Sequence, residues 1–251
     1  MLLNIAVDIA RLGLFIACAF VLLGAFARRL RPQWSQHLTQ RRLAVLGLLT
    51  TAAASIKLIE DVVAQETGPV DQAILWFIRG QVPAALNGFF AAATASASAK
   101  VLVPLAATAT AALLLARHRF EAALVAGSLA AAALVVWALK AIVGRARPAL
   151  WEAQWAWGSS FPSGHTLSTA ALSTAAALCV ARLWPRAGTA AMAAAGLWTG
   201  AVALSRLVLG VHWPSDVLVA LCLGANIALL ISVVHDLAPI AGCPSPGVRR
   251  Q

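Results

Sequence analysis

Three short clusters hold most of the residues that could do chemistry. The first is Lys140-Ala-Ile-Val-Gly-Arg145-Ala-Arg147-Pro148, the second Phe161-Pro162-Ser163-Gly164-His165, and the third runs from Ser205-Arg206 through Gly210 and His212 to Pro214 and Asp216. Lys140, Arg147 and Arg206 are fixed cations suited to a phosphate carrying about two charges, Arg as a bidentate fork and Lys as a compact point charge. Pro162 suits the first turn of a helix, where its missing N–H costs nothing. The backbone N–H groups of Ser163, Gly164 and His165 would then point from that helix end toward an anion, and Gly164 would let it approach closely. His212 and Asp216 are four residues apart with Pro214 between them, which predicts a helix starting near Pro214. Asp216 falls in its first turn, where the helix dipole favours an anion. From there it can accept a hydrogen bond from one ring nitrogen of His212 and leave the other nucleophilic. His165 is then the natural general acid, and later the base that activates water.

Taken singly, Lys140 with Arg147 could be an interfacial anchor, the Pro-Ser-Gly-His turn a helix cap, and His212 with Asp216 a structural pair. What joins them is the set of elements they must sit on. The chain has 251 residues, 61% hydrophobic and 11% charged, against about a quarter charged in an ordinary soluble domain. A membrane-crossing helix needs ~20 mostly apolar residues, and such runs occur at 8–27, 43–65, 97–117, 121–143, 164–182, 188–210 and 214–234. The expected fold is an all-α polytopic transmembrane bundle. Its predicted parts are an N-terminal membrane helix with a basic loop (1–42), a membrane domain (43–235) and a tail (236–251). Asp8 and Arg11 interrupt the first run, and Arg28, Arg29 and Arg31 follow it, unlike a cleaved signal peptide.

The formal charge of +10 sits in short groups between apolar runs. That pattern fits topology signals rather than a nucleic-acid-binding face. Arg28, Arg29, Arg31, Arg41, Arg42, Arg117, Arg119, Arg182, Arg186, Arg249 and Arg250 all fall on one side if every run crosses, and that side should be cytoplasmic. The three clusters then meet on the opposite face. Segment 70–92 is too interrupted to span. It reads either as a helix lying in the interface, with Ile74, Phe77, Ile78, Phe89 and Phe90 on one face, or as an ordered loop on the bundle. The four cysteines occur singly, with no metal-ligand spacing, so neither a metal nor a cofactor is expected.

The clusters match the tripartite signature KxxxxxxRP, PSGH and SRxxxxxHxxxD, and the chain thereby resembles the type 2 phosphatidic acid phosphatase superfamily over about residues 70–235. Lys140, Arg147 and Pro148 fill the first motif. Pro162, Ser163, Gly164 and His165 fill the second, and Ser205, Arg206, His212 and Asp216 the third. The resemblance implies a six-span core and metal-independent hydrolysis of phosphate monoesters or diphosphates. It implies phosphate held by Lys140, Arg147, Ser163, Gly164 and Arg206, and attack by His212. The expected partners are a membrane lipid phosphate and the bilayer, with undecaprenyl diphosphate preferred and phosphatidylglycerol phosphate and phosphatidate as rivals. A lipid phosphotransferase with the same site, or a non-enzymatic lipid transporter, are the alternatives. Trp151, Trp155 and Trp157 read as interfacial anchors or as lining for a headgroup entrance, and Trp213 as part of the site rim. Lys57, Glu60 and Asp61 read as an internally paired cluster or a headgroup contact.

Overall fold

A computed structural model describes residues 2–30, 42–151 and 158–237. Trp155, Trp157, His37, Cys243, Arg31, Arg41, Arg249 and Arg250 lie outside the described residues. The elements are α1 (Leu2–Leu30), α2 (Arg42–Val63), α3 (Gly68–Gln81), a 3-10 turn (Ala84–Leu86), α4 (Asn87–Ser96), α5 (Ala99–Leu115), α6 (Arg119–Val143), α7 (Gly164–Leu183), a second 3-10 turn (Pro185–Ala187), α8 (Gly188–Val208) and α9 (Pro214–Leu237). The chain is an all-α integral membrane protein. Among the described residues, α6, α7, α8 with its 3-10 lead-in, and α9 are long and apolar enough to cross a bilayer. They coincide with the last four expected runs. The run expected at 97–117 is α5, which meets α4 at a 48° bend, so that the pair forms a broken span or a re-entrant loop. The apolar stretch of α1 is Leu12–Phe26.

Helix α7 is the axis of the bundle, with α6, α8 and α9 packed on it. Its small side chains let the neighbours come close. A Cβ on Gly224 of α9 would lie 2.4 Å from the Leu167 carbonyl oxygen and 2.6 Å from the Ala170 Cβ, so α9 can seat against α7 at that level only with glycine. Leu102 of α5, Leu124 and Val125 of α6, Leu172 and Ala175 of α7, and Ala228 of α9 form one core cluster. Ala132, Leu167, Ala171 and Ala220 form a second, nearer the end that carries the motifs. Large apolar side chains also face outward, among them Leu115, Trp137, Ile142 and Leu197. Helices apolar on every side belong in lipid.

The segment between α2 and α5 is helical; Val70, Trp76, Phe77 and Phe89 are exposed, while Leu75 and Phe90 are buried. In α2, Lys57 pairs with Asp61 at 2.6 Å and lies 3.8 Å from Glu60, the internal i,i+4 and i,i+3 arrangement.

Candidate active site

Chain direction brings the motifs together. Helix α6 ends where α7 begins, and α8 ends where α9 begins, at one end of the bundle. Gly144 closes α6 in the left-handed conformation, φ 61°, with its N–H returning to the Lys140 carbonyl. This C-terminal stop suits glycine because a Cβ is strained there. Lys140 therefore stands in the last turn of α6, and its ammonium donates to the Ser159 carbonyl in the loop before α7. Arg147 is held by the same loop and the next. Its Nε donates to the Gly158 carbonyl (3.1 Å) and its Nη1 to the Val211 carbonyl (2.8 Å).

Helix α7 starts at Gly164, with Ser163 as N-cap in an extended conformation. Pro162 thus precedes the helix, a correction to the first-turn position that its sequence context predicts. Ser163 is wholly buried, and its hydroxyl lies 3.0 Å from the Thr166 hydroxyl. The N–H groups of Gly164, His165 and Thr166 have no acceptor within the helix. Helix α9 starts at Pro214, as expected, and the Asp216 carboxylate reaches back to the Trp213 N–H at 3.0 Å. This is half of a capping box, and it fixes the carboxylate beside His212.

His212 is 2% exposed, and its Nδ1 lies 3.5 Å from Asp216 Oδ2, close enough for the charges to interact but short of a formed hydrogen bond. Its Nε2 is 3.3 Å from Arg147 Nη1. A guanidinium can only donate, so that contact requires a lone pair on Nε2 and leaves the ring proton on Nδ1, facing Asp216. Burial is the main force lowering the His212 pKa to about 4, with Arg206 and Arg147 adding to it and Asp216 opposing. The ring is neutral at physiological pH. The Arg147 pKa is also lowered by burial.

Arg206, at the end of α8, donates to the Thr94 hydroxyl of α4, while its buried Nε finds no acceptor among the described residues. Lys140, Arg147, Gly164, His165, Arg206 and His212 all line one cavity of about 480 Å³. Its remaining wall is largely apolar and includes Leu102 and Val103 of α5 and Leu129, Val136 and Trp137 of α6. Asp216 stands behind His212, and neither Asp216 nor Ser163 is part of the lining.

One tryptophan, Trp213, is placed differently from expectation. Trp213 is turned away from this cavity, because its indole N–H donates to the Ala146 carbonyl at 2.9 Å, and it lines a separate hollow with Arg145. Trp151 packs with Trp76 (5.4 Å between centroids) and under Arg79. It also covers Gly210, whose Cβ would come within 2.7 Å of its ring. Sequence reasoning gave no role to Arg145, Asp71, Thr67 or Ser215, which form a buried polar network behind Asp216. A charge at a membrane edge is a signal that something holds it, and that signal was present at Arg145.

A helical membrane bundle with a cationic cavity and two histidines at the ends of four antiparallel helices defines the class. The PAP2 superfamily model matches residues 121–238, which span α6 to α9 and all three motifs. The chain is similar to the PAP2 superfamily over that stretch. It is 48% identical over 63 residues to phosphatidylglycerophosphatase B of Escherichia coli (strain K12), covering 25% of this chain and 24% of that protein. It is 41% identical over 75 residues to lipid A 1-phosphatase of Rhizobium johnstonii, covering 30% and 28%. The matches thus span about a quarter of the length of these curated relatives. The fold is similar to the crystal structure of a transmembrane PAP2-type phosphatidylglycerolphosphate phosphatase from Bacillus subtilis, with a TM-score of 0.69 and 22% identity over 75% of this chain and 96% of that one.

Proposed function

We propose that this chain is a membrane phosphatase that removes a terminal phosphate from a lipid through a phosphohistidine intermediate. One observation carries the reading. Lys140, Arg147, Arg206, Gly164 and both histidines line one cavity whose other wall is apolar, so a charged headgroup and the start of an acyl or prenyl chain fit the same space. Lys140, Arg147 and Arg206, with the N–H groups at the start of α7, hold the phosphate oxygens, and the buried Arg206 Nε supplies a donor that needs an acceptor. Preorganised donors of this kind stabilise the charge of a five-coordinate phosphorus.

In the first step His212 Nε2 bonds to phosphorus, the P–O bond to the lipid breaks, and His165, which takes up a proton beside the bound phosphate, gives that proton to the departing oxygen. In the second, His165 takes a proton from water, the water oxygen bonds to phosphorus, and the P–N bond breaks. Inorganic phosphate leaves and His212 is neutral again. Asp216 orients the His212 ring and steadies its positive charge while the P–N bond exists. Undecaprenyl diphosphate remains the preferred substrate. Phosphatidylglycerol phosphate, which the names of two relatives bring forward, is its main rival, with phosphatidate third. Phosphate release from the purified protein, measured over these three lipids in detergent micelles, tests the reading. No release from any of them would contradict it.

The pH dependence follows from His212. Its depressed pKa keeps the imidazole neutral as pH falls through the ordinary histidine range near 6.5 and lets it protonate only toward about 4. The nucleophile is therefore lost on the acid side, and later than for an exposed histidine. With an aryl phosphate whose own ionisation is corrected for, the acid limb of kcat/KM is expected well below pH 6.5. A limb at or above 6.5 would contradict a buried, neutral His212.

We further propose that the chain sits in a bacterial inner membrane and that the cavity opens on the outer face. The arginine pattern supports this. In a background without the native cysteines, Trp155→Cys should react with an impermeant thiol reagent on intact cells, and Gln36→Cys should not. The reverse labelling would invert the topology.

A further inference from the structure

Asp71 lies in the first turn of α3, far in sequence from the three motifs, and is 2% exposed. Its Oδ1 accepts the Ser215 N–H at 2.9 Å, and its Oδ2 accepts the Ser215 hydroxyl at 2.6 Å and Arg145 Nη2 at 2.8 Å. The other arm of the same guanidinium, Nη1, donates to Asp216 Oδ1 at 2.6 Å and to the Ser215 hydroxyl at 2.8 Å. Thr67, just before α3, accepts a second bond from Nη2 at 2.8 Å. One guanidinium is thus clamped between two buried carboxylates, Asp71 (side chain 3% exposed) and Asp216 (0%). Neither Asp71 nor Arg145 lines the cationic cavity, so neither is placed to touch a substrate there.

We infer that Asp71 and Arg145 are positioning residues for the nucleophile. They fix the Asp216 carboxylate with Oδ2 toward His212, and they leave the Asp–Arg–Asp trio one net negative charge behind the ring. This rests on the reading of His212 as nucleophile. When Nε2 bonds to phosphorus the imidazole becomes cationic, and its Nδ1–H faces Asp216 at 3.5 Å. A one-to-one Arg145–Asp216 pair would cancel the carboxylate charge at that moment. A second carboxylate on the same guanidinium restores it. The other charged or titratable groups around His212 are Lys140 of α6, Arg147 of the following loop, Arg206 of α8 and His165 of α7. None of them is an anion, so the balance on the cavity side is positive and the trio supplies the opposing charge. The clamp also ties α3, with its exposed Trp76 and Phe77, to the start of α9.

The test uses the full-length protein in detergent, with steady-state kinetics on a lipid phosphate and an aryl phosphate. Asp71→Asn is expected to lower kcat about 10–100-fold, as loss of an outer-layer carboxylate does elsewhere, with KM within about threefold of wild type. Its acid limb should move to lower pH, because removing a nearby negative charge favours the neutral ring. Arg145→Lys keeps the charge but cannot fork between two carboxylates, and the same loss in kcat at unchanged KM is expected. If Asp71→Asn does not fold, Arg145→Lys decides the matter through the split between kcat and KM. The inference is overturned by folded variants with wild-type kcat, by a loss that appears in KM instead, or by an unmoved acid limb in Asp71→Asn. An inactive wild-type protein would overturn the phosphatase reading itself, whereas an active wild type with unaffected variants overturns only the clamp.

Discussion

His212→Ala is expected to remove activity against every substrate, lipid or aryl, by on the order of 10⁵–10⁶-fold, the scale on which a triad nucleophile acts. The reason is geometric. Nε2 carries the ring's lone pair, 3.3 Å from Arg147 Nη1, and the other groups on the polar wall are cations, backbone N–H groups, Ser168 and His165. Asp216→Asn keeps the shape of the pair but removes the charge and disturbs the tautomer. By analogy with a triad aspartate its cost should approach ~10⁴-fold, or about 5.5 kcal/mol in the barrier. Because Asp216 also caps α9 through the Trp213 N–H, thermal unfolding in detergent should be measured alongside kcat, so that a fold defect is separated from a chemical one. An His212→Ala protein with more than a trace of phosphatase activity would contradict the assignment.

The second large effect concerns His165 and depends on the leaving group. A lipid alkoxide leaves poorly without a proton, whereas an activated aryl oxide does not need one. His165→Ala should nearly abolish release of phosphate from a lipid while keeping measurable cleavage of an aryl phosphate. The residue stands in the first turn of α7 on the cavity wall with His212, within the same space as the scissile bond. Equal losses on the two substrates would remove the proton-donor role and leave His165 as a phosphate ligand.

Much of the site was legible because each motif carries its own local signal. Gly144 stops α6 after Lys140, and Pro214 starts α9 with Asp216 in its first turn. Such cues act over a few residues and read directly from the chain. The long apolar runs that became α6 to α9 were equally plain, because periodicity is irrelevant when every face is buried in protein or lipid. Less was legible where partners come from distant segments. Asp71 looked like a polar interruption in a poor span, and only its approach to Arg145 and Ser215 reveals a use. Trp213 stands next to His212 in sequence, yet the bond from its indole to the Ala146 carbonyl turns it away from the cavity. The apolar wall from α5 and α6 had no motif at all, since Leu102, Val103 and Trp137 resemble any other membrane-facing residues until the cavity is formed.

The most direct test of a phosphohistidine at His212 is to trap it. His165→Ala slows the second step as well as the first, since the same side chain must deprotonate water. Incubated with phosphorus-labelled aryl phosphate and quenched in alkali, it should accumulate label that is stable to base and labile to acid, and peptide mapping should place that label on His212. The double variant His165→Ala/His212→Ala should carry none. A label that persists without His212, or one that maps to His165 in an otherwise intact protein, would contradict the account.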